Sequence, residues 1–484
     1  MGELKAKAIS GVKWNAIGRF ATQGVNFVIG LILARLLSPS DYGVVGMVGI
    51  FFAIAQTFID SGFGSALIRK NDCTDEDYST AFYFNIIVGL VCCVLLSVLS
   101  PFIANFFETP ILKDLIKVMS LNMLISSFAI VHSTKLTHSV DFKSQSLVNL
   151  VTAIIAGVSG ILMAYKGLGV WSLVLQNMVA SVLRVVFLIA ITRWLPSRVF
   201  SKDSFKYLFN FGSKILTASL LHTIYANMTT MIIGKFYSAK DLGYYSRGES
   251  LATYPSTNIT GILQSVTYPV LSKIQDDDKQ LIRAYRKLIS MTSMVIFFGM
   301  FLLAALAKPL IATLLTEKWL NAVIYLQVFC FAYMFDHICA LNLNILYVKG
   351  YSNLVLKLEV VKKAISISMI IAAVPFGVLA ICIARALYTQ IAVVVNTYYT
   401  GKLFTLGYVK QVKDFSKYLL CSVIATFPAF LITYSHMCNV LQLVIGALSA
   451  SFLYFLLLRR DHCLVELLSI IKEHFKKNKC IAAV

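Results

Sequence analysis

Arg35-Leu-Leu-Ser-Pro-Ser-Asp-Tyr-Gly43 and Lys235-Phe-Tyr-Ser-Ala-Lys-Asp-Leu-Gly243 are two versions of one pattern. Arg35 answers Lys235, Ser38 answers Ser238, Asp41 answers Asp241 and Gly43 answers Gly243. With a one-residue gap the flanks agree as well: Gly11-Val-Lys13 matches Gly212-Ser-Lys214, and Asn26 matches Asn227. Each copy lies between two hydrophobic stretches of about twenty residues, the length that crosses a bilayer as a helix. The residue types describe a short polar turn between two such helices. Ser or Pro ends one helix, Asp caps the next, and Gly relaxes the turn. Recurrence with matching hydropathy implies a duplicated architecture, a construction common in membrane transporters.

Composition agrees with a bilayer as solvent. Of 484 residues, 58% are hydrophobic and 14% charged, against roughly 25% charged in soluble chains; mean hydropathy is +0.77. A net charge of +20 suggests nucleic acid at first sight, but the placement of the charges assigns it to the membrane surface instead. The ten cysteines lie scattered in apolar segments without paired spacing. They read as small buried hydrophobes, with no metal site and no disulfide framework. The N-terminus is a basic amphipathic lead-in without a small-residue cleavage site.

Fourteen spans are expected, near 14–36, 42–61, 79–100, 114–134, 146–165, 169–192, 209–234, 242–268, 288–307, 320–347, 354–374, 377–399, 418–435 and 437–458. With the N-terminus inside, alternate connections hold thirty Lys and Arg residues on the cytoplasmic side against eight outside, as the positive-inside rule requires. An even count with both termini cytoplasmic follows. The duplication divides the chain into an N-terminal lobe of six helices (1–206) and a parallel second lobe of six (207–402). Helices 13 and 14 follow (403–458), then a basic tail (459–484). Leu464, Leu467, Leu468, Ile471 and Phe475 fall at helical spacing in that tail, which suits an amphipathic helix on the inner leaflet or a disordered basic segment.

Among the basic residues inside the expected spans are Arg19, Arg184, Lys214, Arg247 and Arg385. A charge in hydrocarbon costs at least ~2.5–3.5 kcal/mol, so each must face protein or water. Asn15, Arg19, Thr22, Gln23 and Asn26 form a continuous polar stripe on helix 1. The stripe suits a cavity wall for an anionic substrate; a snorkelling Arg with polar helix contacts is the alternative. Arg247 could meet a phosphate, pair with Glu249 or snorkel outward. Arg184 and Arg385 lie nearer mid-membrane, as substrate contacts or paired charges. Lys214 anchors a helix start at the headgroups. Asp336-His337 sits beside Asn342 and Asn344; the pair can take up or release a proton, which suits ion coupling, or can hold a structural hydrogen bond. Asp60 is expected to cap the exit of helix 2; His222 and Tyr225 in helix 7 either make core contacts or line the same cleft. There is no phosphate-binding Gly-rich loop, no Cys/His metal spacing and no cofactor motif. Nor is there a long outer loop carrying paired acids for glycosyl transfer.

Ala34-Arg-Leu-Leu-Ser-Pro-Ser-Asp-Tyr-Gly43, Gly62-Phe-Gly-Ser-Ala-Leu-Ile-Arg-Lys70, Leu242-Gly-Tyr-Tyr-Ser-Arg247 with Tyr254-Pro255, and Tyr268-Pro-Val-Leu-Ser-Lys273 carry a resemblance. Together they resemble the bacterial polysaccharide flippases, the Wzx-type oligosaccharide flippase family within the wider multidrug and lipid-linked oligosaccharide exporter group. The resemblance runs from the N-terminus to about residue 400. It implies an all-α polytopic membrane protein, two six-helix lobes in a V around a central cavity. It also implies flipping of undecaprenyl-diphosphate-linked oligosaccharide across the bacterial cytoplasmic membrane, coupled to a proton or sodium gradient. A polysaccharide polymerase machinery is the partner implied; no nucleic acid is. Arg19 best fits the cationic cavity position, with Arg247 second and Arg184 and Arg385 after them, since Arg presents a rigid fork to phosphate oxygens. Asn15, Gln23, Asn26, Tyr225 and Gln264 are the sugar-facing candidates, and Asp336 and His337 those for ion coupling. A multidrug exporter of related architecture is the runner-up, and it would favour acidic cavity residues. A membrane polysaccharide polymerase comes third.

Overall fold

The computed structural model describes residues 2–70, 72–466 and 469. Each copy of the opening motif is a helix N-cap. Ser38 caps the helix Pro39–Asp60: the Asp41 amide donates to Ser38 Oγ at 3.3 Å, and the Ser38 amide donates back to Asp41 Oδ2 at 2.9 Å. Before the helix Ala239–Ser272 the Asp241 amide donates to Ser238 Oγ at 3.1 Å, and the Ser238 hydroxyl donates to Asp241 Oδ2 at 2.6 Å. The expected assignment is thereby corrected. Ser is the cap and Asp sits three positions on; in the first copy the pair closes a capping box that satisfies two otherwise orphaned donors.

The glycines are not in the turn either. Gly43 and Gly243 lie inside their helices, and each faces the start of the other copy. A Cβ on Gly43 would lie 1.6 Å from the Ala239 carbonyl oxygen, and one on Gly243 would lie 1.9 Å from the Pro39 carbonyl oxygen. Pro39 and Ala239 are equivalent positions in the two copies, so the contact is reciprocal. Glycine is required there because backbone meets backbone.

The helices run α1 (Gly2–Leu36), α2 (Pro39–Asp60), α3 (Phe63–Arg69), α4 (Asp75–Phe106), α5 (Leu112–His138), α6 (Phe142–Tyr165), α7 (Val170–Thr192), α8 (Lys202–Phe236) and α9 (Ala239–Ser272). They continue as α10 (Asp278–Ala305), α11 (Ala307–Leu315), α12 (Ala322–Tyr333), α13 (Asp336–Val348), α14 (Ser352–Ala373), α15 (Val378–Phe404), α16 (Tyr408–Ile432) and α17 (Asn439–Leu458). No strand occurs among the described residues. The chain forms two compact units, Met1–Gly243 and Tyr244–Val484. α8, which opens the second copy of the repeat, packs on α2 and belongs to the first unit.

Among the described residues eleven helical segments are long and apolar enough to cross a membrane. The other three expected spans, 209–234, 242–268 and 354–374, fall within the continuous helices α8, α9 and α14. Lys214 and His222, then Arg247 and Glu249, then Lys357, Glu359, Lys362 and Lys363 make these the more polar helices. Most of the expected tail helix lies outside the described residues.

In the first unit α4 packs on α5, α1 on α6, and α7 on both α5 and α6. One end is closed by Phe63, Tyr78, Phe82, Trp194 and Leu208, all buried. Trp194 meets Tyr78 and Phe82 edge-on, at 6.2 and 5.9 Å between ring centres, the geometry aromatic quadrupoles favour. Its Nε1 donates to Asp75 Oδ1 at 3.1 Å, and Lys135 Nζ lies 4.7 Å over its ring. This cluster fixes α3 and the entry into α8, two walls of the cavity described below. In the second unit α10 packs on α16, α16 on α17, and α15 on both α12 and α14. A buried amide pair joins α13 to α16. Asn342 Nδ2 donates to Gln411 Oε1, and Gln411 Nε2 donates to Asn342 Oδ1, both at 2.9 Å. Thr400 Oγ1 of α15 adds a 2.8 Å bond to Asn342 Oδ1.

Candidate functional site

A polar cavity of about 750 Å³ lies within the first unit, walled by α2, α3, α5, α7 and α8. α2 contributes Gln56, Thr57 and Asp60, and α5 contributes Asn122, Ser126, Ser133 and Thr137. Ser181 and Arg184 come from α7 and Ser219 from α8. Helical spacing explains the set: Gln56 and Asp60 are one turn apart, as are Asn122 and Ser126, Ser133 and Thr137, and nearly so Ser181 and Arg184. α2 ends where it does because Ser61 and Gly62 both take left-handed backbone, with φ of 44° and 71°. Gly62 there lies against the backbone of Gly212 in α8. Asp60 is therefore not the capping group expected from the sequence; it opens into the cavity.

The polar side chains are partly ordered among themselves. Ser126 Oγ donates to Gln56 Oε1 at 3.4 Å, and Gln56 Nε2 donates to Asp60 Oδ1 at 3.0 Å. Gln145 Nε2 donates to Ser133 Oγ at 2.9 Å. Among the described residues Arg184 and Asp60 are the cavity's only charged lining residues. Each feels the other's field, yet they form no ion pair. Among the described residues Arg184 makes no hydrogen bond, and Asp60 accepts only the one from Gln56. Both expose surface to the cavity. Asn122, Met123 and Ser181 also border an adjoining chamber of about 270 Å³, whose walls include Phe52, Val118, Val174 and Met178.

Of the four arginines proposed for phosphate, this cavity contains Arg184. Arg19 is exposed on α1 and, with Asn15, Gln23 and Asn26, is not part of the cavity wall. Tyr225 is half-buried on α8 and also outside the wall. The side chain of Gln264 lies outside those described.

Arg385 and Arg247 belong to the second unit. Arg385 is fully engaged: it donates to Glu249 Oε1 at 2.6 Å, to the Tyr333 hydroxyl at 3.0 Å and to the Tyr245 hydroxyl. Its guanidinium lies 5.2 Å over the Phe329 ring. Tyr333 in turn donates to Glu249 at 2.7 Å. Glu249, a suggested partner for Arg247, is thus taken by a residue 136 positions away. Arg247 lies 5.6 Å over the buried ring of Trp319. Asp336 and His337 stand at the break between α12 and α13 but do not bond each other. Asp336 Oδ2 accepts from Ser256 at 3.4 Å, and Ser256 also donates to the Tyr333 carbonyl at 3.2 Å, one of the groups the break leaves free. His337 Nε2 meets Ser293 Oγ at 2.9 Å, and its Nδ1 has no partner among the described residues. Successive helical residues point about 100° apart, which separates them. Among the described residues no cluster of His, Cys, Asp and Glu could hold a metal ion.

These features define a polytopic helical membrane protein with a polar, arginine-bearing cavity inside its first unit. Residues 32–324 match the sequence pattern of the polysaccharide biosynthesis protein family. The chain belongs to that family. The teichuronic acid biosynthesis protein TuaB of Bacillus subtilis is 25% identical over 73% of this chain and 74% of its own length. The lipopolysaccharide biosynthesis protein WzxC of Escherichia coli is 24% identical over 68% of this chain and 67% of its own. Among solved structures, the lipid II flippase MurJ in an inward closed conformation aligns with a TM-score of 0.75 at 15% identity. That alignment covers 92% of this chain and 99% of MurJ, a likeness of fold.

Proposed function

We propose that this protein is a flippase that moves lipid-linked oligosaccharide, carried on a prenyl diphosphate, across the bacterial cytoplasmic membrane for surface polysaccharide synthesis. The family, the relatives in teichuronic acid and lipopolysaccharide biosynthesis and the MurJ-like fold support this reading. One observation carries it to particular residues: the unbonded guanidinium of Arg184 on the wall of a hydroxyl- and amide-lined cavity. An intramembrane charge that is not paired needs a partner, and an anionic headgroup supplies one. The surrounding Ser, Thr, Asn and Gln side chains offer sugars the hydrogen bonds they surrender on leaving water. Flipping breaks no covalent bond, so the protein needs only different affinities in two states and no catalytic group. Undecaprenyl is the prenyl chain we assign, and the thirty-to-eight distribution of basic residues supports a cytoplasmic position for both termini. Alternating access is coupled to a proton or sodium ion, with Asp336 and His337 as the titratable groups at the α12–α13 break. A polysaccharide polymerase acts on the delivered unit.

The test is a deletion strain complemented with Arg184→Gln. Loss of surface glycan, with lipid-linked oligosaccharide trapped on the cytoplasmic leaflet and normal protein abundance, is the expected result. Full glycan display by the variant removes Arg184 from the site. Normal glycan in the deletion strain itself, with new sensitivity to cationic drugs, replaces the flippase by a multidrug exporter.

A further inference from the structure

An arginine and a carboxylate share the first unit's cavity without bonding each other, although among the described residues they are the only two charges on its wall. Asp60 is held instead from its own helix. Gln56 donates to one carboxylate oxygen, which leaves the other, Oδ2, with no partner among the described residues. Arg184, across on α7, keeps all five of its donors open. An anion alone would be attracted by one of these groups and repelled by the other. A ligand with phosphate oxygens at one end and a hydroxyl donor beside them satisfies both.

We infer that the cavity is a subsite for a sugar-1-diphosphate junction: Arg184 takes a phosphate oxygen, and Asp60, oriented by Gln56, accepts a hydroxyl of the sugar attached to the diphosphate. Asp60 therefore sets the requirement for a glycosylated headgroup, and Arg184 the requirement for phosphate. The assignment rests on the flippase reading and adds to it the means by which a bare prenyl diphosphate is refused. A cavity of about 750 Å³ is within the usual range for small-ligand sites, roughly 300–1,000 Å³. The serine and threonine hydroxyls around the pair can both donate and accept, so they fit the remaining hydroxyls whichever way these point.

The experiment compares two probes on the purified full-length protein: farnesyl diphosphate, and farnesyl diphosphate carrying one glucose. Asp60→Asn removes the charge but keeps the shape. It is expected to weaken the glycosylated probe by about tenfold, the size of a lost charge-assisted hydrogen bond, and to leave the bare probe unweakened. Arg184→Gln is expected to weaken both. Gln56→Leu, which releases Asp60 without removing it, reproduces the Asp60→Asn pattern more mildly. Thermal melts of each variant separate a binding defect from misfolding. Equal effects of Asp60→Asn on the two probes, or tighter binding of both, overturn the inference and make Asp60 a spectator or a counter-charge. Unchanged binding of both probes by Arg184→Gln overturns the flippase assignment of the cavity itself, a result distinguishable from the first.

Discussion

Replacing Gly43 by alanine is the sharpest test of the packing at the repeated motif. The new methyl carbon would lie 1.6 Å from the Ala239 carbonyl oxygen, 2.5 Å from its carbonyl carbon and 3.0 Å from its Cα. A carbon–oxygen contact settles at about 3.3 Å, so the two helix starts must part by about 1.7 Å. Every atom met is backbone, so no side chain can rotate away. Overpacking of this kind costs typically about 1–3 kcal/mol, and a backbone-on-backbone clash belongs at the upper end. For a unit of this size about 3 kcal/mol corresponds to a fall in Tm of about 6–12 °C. Gly243→Ala meets the Pro39 carbonyl at 1.9 Å, by the same reckoning a parting of about 1.4 Å and a similar loss. The double variant should lose less than the two single losses combined, because one separation relieves both clashes. Gly49→Ala is the control. It lies on the same helix, a methyl there would meet nothing within 4 Å, and alanine's better helix propensity should leave Tm unchanged or slightly raised. Melting of detergent-purified protein followed by intrinsic fluorescence gives the comparison. If Gly43→Ala melts with wild type, the reciprocal contact is not part of the folded unit and the argument fails.

Two further expectations concern the second unit. Gln411→Leu takes one buried hydrogen bond from each end of the Asn342 amide and one from the Leu406 carbonyl, all at 2.9 Å; a loss of about 1–3 kcal/mol is expected. Asn342→Leu added to it should recover part of that loss, and a double variant less stable than either single one would refute the amide-pair account. Asp461, after α17, gives a pH dependence. Burial acts to raise its pKa, but hydrogen bonds from Lys417 Nζ at 2.6 Å, the Cys463 amide at 2.8 Å and the Tyr418 hydroxyl at 3.1 Å prevail and hold it below the ordinary carboxylate value. A depressed acid contributes stability above its unfolded pKa of about 3.9, and that contribution is lost as pH falls through the lower folded value. Wild type should thus lose Tm on acidification through and below pH ~4, while Asp461→Asn starts lower and stays flatter. Parallel curves for the two proteins would contradict it.

Much of the architecture was legible because it is local. Periodic hydrophobicity marked the spans, and the repeat was visible in Arg35–Gly43 and Lys235–Gly243 without any structure. Arg184 could be named because a charge in an apolar run is conspicuous. Asp60 was misread because a carboxylate beside a chain turn suggests a cap for the helix that follows, and nothing nearby in sequence shows that an arginine lies across a cavity from it. The α5 wall did leave a signal. Asn122, Ser126, Ser133 and Thr137 share one helical face, a polar stripe of the kind read on helix 1. The engagement of Arg385 by Glu249 left none, since each side chain taken alone looks like any intramembrane charge.

The amino-acid sequence by itself determined that this chain is a helical membrane protein with a duplicated plan, and it nominated the charges that burial makes costly. The spans and the nominated charges depend on residues three, four or about twenty positions apart, distances over which helix geometry and bilayer thickness dictate the outcome, and the duplication shows when two such local stretches are laid side by side. Only the tertiary structure decided which charges are spent and which are free. It paired Arg385 with Glu249 across 136 residues, sent Asp336 and His337 to different serines, and left Arg184 unbonded beside Asp60. Side-chain partners across a bundle are chosen by how helix faces rotate and pack against one another. That choice is made in three dimensions, among groups the chain keeps far apart.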